Sequence, residues 1–184
     1  PDATMHELQR RYPECSAELT LVASCAGNLA GVLRGETDPL QLLFPGGSTD
    51  LVERLYRDSP FARSLNALLE ETLSRAIADL PPGRTLKILE IGAGTGGTTA
   101  RLLPRLPAER TEYVFTDIAQ VFMHEAATKF RQFPFVRYAA LDIESPIADQ
   151  GFAPGQFDFI VASNVLHATR DLRQSLAHVR QLLA

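Results

Sequence analysis

The sequence has no excess of basic charge and no long uninterrupted apolar run. In 184 residues, 18 Lys and Arg stand against 22 Asp and Glu, which gives a formal net charge of −4. This balance disfavours a nucleic acid or an anionic membrane as a partner. No apolar run reaches the about 18 residues needed to cross a bilayer, and no signal-peptide pattern opens the chain. We therefore expect neither membrane nor nucleic-acid binding.

Cysteine is also scarce, since Cys15 and Cys25 are the only two. They lie ten residues apart in a helical pattern, so their side chains point in different directions. A metal site would need further ligands that are absent nearby. Reduced thiols of this kind are typical of a cytoplasmic protein. The first residue is Pro1 rather than Met, and we interpret the chain as a piece of a longer protein.

Glycine, by contrast, is concentrated in residues 87–97 (KILEIGAGTGG), which read as a strand, a loop and the start of a helix. Gly92, Gly94 and Gly96 allow a tight turn, and they let the backbone approach a ligand where a Cβ would intervene. Glu90 ends the strand and completes the pattern E-x-G-x-G-x-G, which suits a ligand with a cationic amino-acid end. The segment therefore predicts a nucleotide-type cofactor, with S-adenosylmethionine (SAM) favoured.

NAD is the weaker alternative for the same loop. Gly92, Gly94 and Gly97 also satisfy G-x-G-x-x-G, the dinucleotide fingerprint. In that fingerprint a pyrophosphate lies on the helix N-terminus, where a carboxylate at position 90 would repel it. A reductase would also need a Tyr/Lys or similar hydride-site pair, which we do not find. A merely tight strand–helix turn is the remaining interpretation.

The hydrophobic pattern changes from helical to alternating near residue 84. Before that point we predict helices, with one buried face formed by Leu19, Val22, Ala26, Leu29 and Leu33. A long helix opens at Ser59-Pro60 and ends at residues 81–83 (PPG). After it we expect strands at 86–91, 112–116, 136–141 and 157–162, alternating with helices at 97–103, 121–132 and 172–183.

Repeated βα units of this length predict an α/β fold with a parallel, doubly wound sheet. We expect residues 1–83 to form a helical N-terminal region and residues 84–184 to form the sheet domain. The last helix should bury Leu172, Leu176, Val179 and Leu183 on one face. The fourth strand is apolar enough to be central, so further strands of the sheet should belong to a separate segment.

Polar residues follow each predicted strand, at the sheet edge where ligands bind in such folds. Glu90 ends the first strand. Asp117 ends the second, 21 residues after Gly96, a separation suited to an acid that grips ribose hydroxyls. Asp142 ends the third, within reach of an adenine amino group, and Asn164 follows the fourth. Each alone could be a turn residue, but four equivalent positions favour a site.

His167 follows closely in the sequence NVLHAT (164–169) and is a candidate general base. The alternative is a histidine that packs beside or caps the last helix. The other histidines, His6, His124 and His178, lack such a setting. We predict that His124 and His178 are surface residues.

These motifs resemble the methyltransferase domains embedded in polyketide synthases. The resemblance rests on residues 89–99 (LEIGAGTGGTT), 115–118 (FTDI), 141–144 (LDIE) and 157–169 (FDFIVASNVLHAT). Residues 38–45 and 55–60 resemble the helical region that precedes the core of those domains. The resemblance implies a class I, Rossmann-like methyltransferase core, of which about the first four strands are present. A helical N-terminal lid region would precede this core in the sequence.

The resemblance also implies the reaction and the partners. Such a domain uses SAM to methylate an acyl chain held by an acyl carrier protein, beside other domains of the same synthase. The favoured target is the α-carbon of a β-ketoacyl thioester. The alternatives are O-methylation of a hydroxyl on the acyl chain and an inactive structural pseudo-methyltransferase.

Site residues follow from the family pattern, position by position. The methionine portion of SAM would lie against Glu90, Gly92, Gly94 and Gly96, the ribose against Asp117, and the adenine against Asp142 and Ile143. Ile118 and Asn164 complete the expected cofactor-binding set. His167 matches the catalytic base, whereas the glutamate that works with it in the family has no position that can be assigned here.

Overall fold

The computed structural model describes residues 2–81 and 83–184. Pro1, the first residue of the sequence, and Pro82, part of the predicted helix stop at residues 81–83, lie outside them. The chain forms two compact units, residues 1–69 and 70–184. The boundary between the two units falls inside helix α5 (Pro60–Ala78). The boundary expected at residues 83/84, where the composition changes, stays a prediction.

The first unit is helical. It contains α1 (Asp2–Arg11), α2 (Ser16–Leu33), α3 (Pro39–Leu43), α4 (Asp50–Asp58) and the beginning of α5. Helix α5 opens where the sequence predicts, because the Ala62 N–H donates to Ser59 Oγ at 3.1 Å and so satisfies an amide of the first turn. The helical N-terminal region is confirmed, while its role as a lid stays a prediction.

The buried face predicted for α2 is wrong. Val22, Leu29 and Leu33 are exposed, Leu33 to 78%, and the buried residue of this helix is Ala17. Periodicity places apolar side chains on one stripe of a helix, but their burial requires a second element over that stripe. By length and composition alone, the segment Pro13–Leu33, with a mean hydropathy of 1.3, would suit a membrane span. One such helix is weak grounds for a membrane partner.

The second unit is a four-stranded parallel sheet with helices, as the sequence predicts. The sheet order is β3-β2-β1-β4. Its strands are β1 (Leu86–Glu90), β2 (Thr111–Asp117), β3 (Val136–Ala140) and β4 (Phe159–Val161), with α6 (Gly97–Leu102), α7 (Gln120–Lys129) and α8 (Leu172–Leu182) between and after them. Within the described residues β4 pairs only with β1, and a further strand beside it stays a prediction.

The strand order brings the carboxyl ends of β1, β2 and β4 together. Glu90 is in register with Phe115 of β2 and with Val161 of β4. On one face of the sheet, Leu89 and Ile91 pack into an apolar cluster with residues of the β3–β4 connection and of α8. The glycine loop, the end of β2 and the loop after β4 therefore meet at one edge.

Helix α8 buries a different face from the one expected. Its buried residues are Ser175, His178 and Leu182. Leu172 and Leu176 are exposed, Leu176 to 47%. Two polar side chains are buried because each has a hydrogen-bond partner: the Ser175 hydroxyl donates to Asp171 O in the same helix turn at 3.1 Å, and His178 Nδ1–H donates to Ile143 O of a distant segment at 2.8 Å. The surface position predicted for His178 is therefore wrong.

Candidate cofactor-binding site

The glycine loop joins β1 to α6 in a conformation that requires glycine. Gly92, Gly94 and Gly96 have φ values of 59°, 54° and 75°, all in the left-handed region. The loop is fixed to the neighbouring strands, since Ile91 N–H donates to Val161 O at 2.8 Å and Ala93 N–H donates to Thr116 O at 2.9 Å. The alternating glycines are thus explained first by backbone geometry.

The space beside these glycines differs from one to the next. A Cβ on Gly92 would lie 2.3 Å from a methyl group of Val165, and a Cβ on Gly96 would lie 2.7 Å from the Phe130 ring. At these two positions a side chain of the protein, rather than a ligand, occupies the space next to the glycine. A Cβ on Gly94 would meet nothing closer than Gly92 O at 4.0 Å. Gly94 therefore offers the open backbone that the sequence pattern suggests for all three.

Asp117 lies directly beside this open position. It ends β2, is 7% exposed, and its Oδ2 accepts the Gly94 N–H at 2.9 Å. Its Oδ1 accepts the Ala119 N–H at 2.9 Å. Among the described residues each of these oxygens accepts one hydrogen bond, and a carboxylate oxygen has lone pairs for a second. The next side chain, Ile118, is 71% exposed, so an apolar surface lies next to the acid.

Asp142 lies close to Asp117, but its carboxylate accepts hydrogen bonds from residues of its own turn. The Leu141 N–H donates to Asp117 O at 3.3 Å, which joins the ends of the two strands. Asp142 Oδ1 accepts the Glu144 N–H at 2.9 Å and Oδ2 accepts the Ser145 hydroxyl at 2.7 Å, a turn stabilised by an aspartate side chain. Contact of Asp142 with adenine stays a prediction.

Ile143, also predicted to touch adenine, has its side chain in the apolar cluster beneath the loop. Its carbonyl is held by His178. Beside this turn lies a polar cavity of about 250 Å³, lined by Asp142, Glu144, Ser145, Arg170, Asp171 and Gln174. Ile143 therefore fixes the turn from below, and any part of it that meets a ligand would be backbone.

His167 lies in a short 3-10 turn, Leu166–Ala168, after β4. Its side chain is exposed, so solvent or a substrate can reach the imidazole. The turn is fixed by its neighbours: Val165 packs on Gly92, and Ala168 N–H donates to Val165 O at 3.0 Å. Asn164, just before it, has φ 55°, a conformation uncommon outside glycine. The structure thus joins the His167 segment to the glycine loop.

Glu90 is enclosed rather than open at the sheet edge. Its side chain is 1% exposed, and Oε2 accepts hydrogen bonds from Thr99 Oγ1 at 2.5 Å and Tyr113 Oη at 2.6 Å. Burial raises the pKa of this carboxyl to about 7, although both hydroxyl donors act to lower it. Direct contact of Glu90 with a cofactor stays a prediction.

Sequence reasoning missed Thr99 and Tyr113. The sequence does indicate that hydrogen-bond donors are needed, because an acid inside an apolar strand must be paired when it is buried. In the sheet, Tyr113 is in register with Ile88, two positions before Glu90. Nothing in the sequence says which hydroxyls meet that need. Within residues 2–81 and 83–184, no three His, Cys, Asp or Glu side chains gather to hold a metal ion.

The residues at this edge fit SAM. Gly94 leaves room for a ligand against the backbone, and Asp117 beside it has acceptor sites for a vicinal diol. Ile118 offers an apolar surface, whereas the Glu90 carboxyl at the start of the loop is enclosed by the protein. The structure brings together Glu90, the glycines, Asp117, Asp142 and the His167 segment through backbone hydrogen bonds and through side-chain contacts of Asp117 and Val165 with the loop.

Comparisons with known proteins agree on one family. Residues 89–184 match the family described as methyltransferase domain. The non-reducing polyketide synthase pkiA of Emericella nidulans is 41% identical over 187 residues, which cover 97% of this chain and 7% of the synthase.

Solved structures of methyltransferases match nearly the whole chain. The CurJ carbon methyltransferase matches with a TM-score of 0.95 and 48% identity, covering 100% of this chain and 49% of that structure. The trans-methyltransferase CalH, solved with SAH, matches with a TM-score of 0.75 and 33% identity, covering 98% of this chain and 50% of that structure. The chain thus spans about half of these solved relatives and a small part of the synthase.

Proposed function

The chain belongs to the methyltransferase domain family, and from that premise we propose that it methylates the α-carbon of a β-ketoacyl chain on an acyl carrier protein, with SAM as methyl donor. The observation that carries the proposal is the likeness of the entire chain to the CurJ carbon methyltransferase at 48% identity. The polyketide synthase relative supports a polyketide pathway. The other domains of such a synthase would be its further partners, and the cytoplasm its location.

The cofactor would lie along the sheet edge that carries the glycine loop. Gly94 and Asp117 support this placement most directly, since their hydrogen bond puts an open backbone beside a diol acceptor. Glu90, Gly92 and Gly96 would support the methionine portion. Ile118, Asp142, Ile143 and Asn164 would surround the rest of the nucleoside. When bound, SAM supplies an electrophilic methyl group, so the protein must mainly align the reactants and remove a proton.

His167 would remove that proton. In a β-ketoacyl thioester, the α-carbon lies between two carbonyls, which delocalise the negative charge left on the substrate. A base of imidazole strength is therefore sufficient. The exposure of His167 and the attachment of its segment to Gly92 through Val165 support this role. The proton of the substrate's α-carbon would pass to an imidazole nitrogen of His167, and the electron pair of the broken C–H bond would be shared with the two carbonyl oxygens.

The test is intact-protein mass spectrometry of carrier proteins after incubation with SAM and the full-length protein that carries this sequence. One carrier protein bears a β-ketoacyl group, and a matched one bears the β-hydroxyacyl group of the same length. A gain of about 14 Da on the β-keto carrier alone is expected, since the cofactor donates one methyl group. A gain only on the hydroxyl carrier would replace carbon by oxygen methylation. No gain on either, with no SAM binding, would favour a structural pseudo-methyltransferase.

A further inference from the structure

Among the residues that the structure describes, the buried carboxyl of Glu90 has two hydroxyl partners and no cationic one. Thr99, from the first turn of α6, and Tyr113, from β2, both donate to Oε2. In the described part of the chain no Lys, Arg or His forms a salt bridge with it. The nearby Asp117 carboxylate is directed to the amides of Gly94 and Ala119 instead.

An enclosed acid of this kind resists ionisation. Removal from water disfavours the carboxylate, and two hydroxyl donors compensate only in part. Tyr113 is the titratable side chain that faces Glu90 from β2, and its own pKa is raised well above 10.0 by burial and by Glu90. From α6 the facing side chain is Thr99, which does not titrate. Neither neighbour can supply a positive charge.

A cationic ligand at the loop would change this balance. Glu90 lies two residues before Gly92, and its own carbonyl accepts the Thr116 hydroxyl at 2.6 Å, so the acid is fixed at the root of the loop. SAM carries a sulfonium and an ammonium group, and an opposite charge near a carboxyl favours the ionised form. The sulfonium and ammonium groups of bound SAM would thus supply the positive charge that the neighbours of Glu90 lack.

We propose that SAM binding drives Glu90 to its carboxylate and releases its proton to solvent, with Thr99 and Tyr113 as positioning residues that hold the acid. The O–H bond of the carboxyl breaks, the electron pair stays on Glu90, and the proton passes to the buffer. This inference rests on the proposed function, because it requires SAM at the glycine loop.

The test is isothermal titration calorimetry of SAM into the full-length protein, in two buffers of the same pH but different ionisation enthalpies. The difference in heat counts the protons released. Because burial raises the pKa of Glu90 to about 7, the proton release from this group should be large at pH 6 and should decrease as the pH rises through 7 to 8. The α-amino group of SAM also titrates near pH 8, so variants must separate the two contributions.

Glu90→Gln retains the shape but removes the proton, so the release at pH 6 and 7 should fall to that of the ligand alone. Tyr113→Phe and Thr99→Val each remove one donor to the carboxylate and should increase the release at pH 8. Thr116→Val is the matched control, since its hydroxyl donates to the backbone of Glu90 and not to its side chain. It should leave the proton count unchanged.

The outcomes separate this inference from the proposed function. If SAM binds Glu90→Gln with the wild-type proton release, the inference is overturned and the proposed function stands. Unchanged release at pH 8 in Tyr113→Phe would overturn it as well, without relying on the folding of the Glu90 variant. Absence of SAM binding to the wild type would overturn both.

Discussion

Replacing Gly92 by alanine should destabilise the protein much more than the same change at Gly94. Both glycines have left-handed φ values, 59° and 54°, so alanine should cost about 1–2 kcal/mol at either position. At Gly92 the new methyl group would also lie 2.3 Å from Val165, whereas at Gly94 it meets only Gly92 O at 4.0 Å. Overpacking of this kind adds about 1–3 kcal/mol, so the total for Gly92→Ala is about 2–5 kcal/mol.

The Val165 contact can be isolated with a double-mutant cycle. Val165→Ala alone should cost about 1–2 kcal/mol through lost apolar burial. In the presence of Gly92→Ala, however, it should relieve the overpacking, which gives a coupling energy of about 1–3 kcal/mol. Equilibrium urea unfolding followed by circular dichroism measures all four proteins.

Gly94 supplies the matched comparison for binding. Gly94→Ala should be the milder change for stability and the more damaging one for SAM affinity, because its Cβ would enter the space left open for the ligand. Equal destabilisation of Gly92→Ala and Gly94→Ala, or additive effects of Gly92→Ala and Val165→Ala, would refute the reasoning that Val165 occupies the space beside Gly92.

Four further predictions follow from the site and the core. His167→Ala should lower methyl transfer to the carrier protein by about 10²–10⁴-fold, as expected for a lost base, with SAM affinity by calorimetry nearly unchanged; retained activity would remove His167 from the mechanism. Asp117→Ala should instead lower SAM affinity more than the rate of methyl transfer, because the Gly94 amide and the ribose diol of SAM lose their acceptor. His178→Ala should destabilise the protein by about 1–3 kcal/mol or more, since Ile143 O loses its donor inside the core. Leu176→Ala, on the exposed side of the same helix, is its control and should cost well under about 1 kcal/mol; similar losses would contradict the assignment of the buried face. Finally, Glu90 has a folded-state pKa of about 7 against an ordinary 4.5, so the native state binds more protons between these values. The free energy of unfolding should therefore fall by about 3 kcal/mol as pH rises from 4.5 to 7, level off above 7, and lose this dependence in Glu90→Gln.

The sequence by itself determined the local elements around the site. The alternation of apolar strands and helices predicts the parallel sheet, and the strand ends agree with the structure to within two residues. The glycine spacing predicts the loop, because left-handed φ at alternate positions is a property of the backbone that glycine alone adopts freely. The positions of Asp117 and Asp142 follow as well, since carboxyl ends of parallel strands share one edge of the sheet.

The tertiary structure decided which side chains are enclosed and by what. The periodicity of α2 and α8 defines apolar stripes, yet Leu33 and Leu176 are exposed while His178 is buried against a carbonyl of a distant segment. Likewise Val165 fills the space beside Gly92, and Thr99 and Tyr113 enclose Glu90. A local pattern determines backbone conformation and the direction of side chains, but burial and charge state depend on residues that only the folded chain brings into contact.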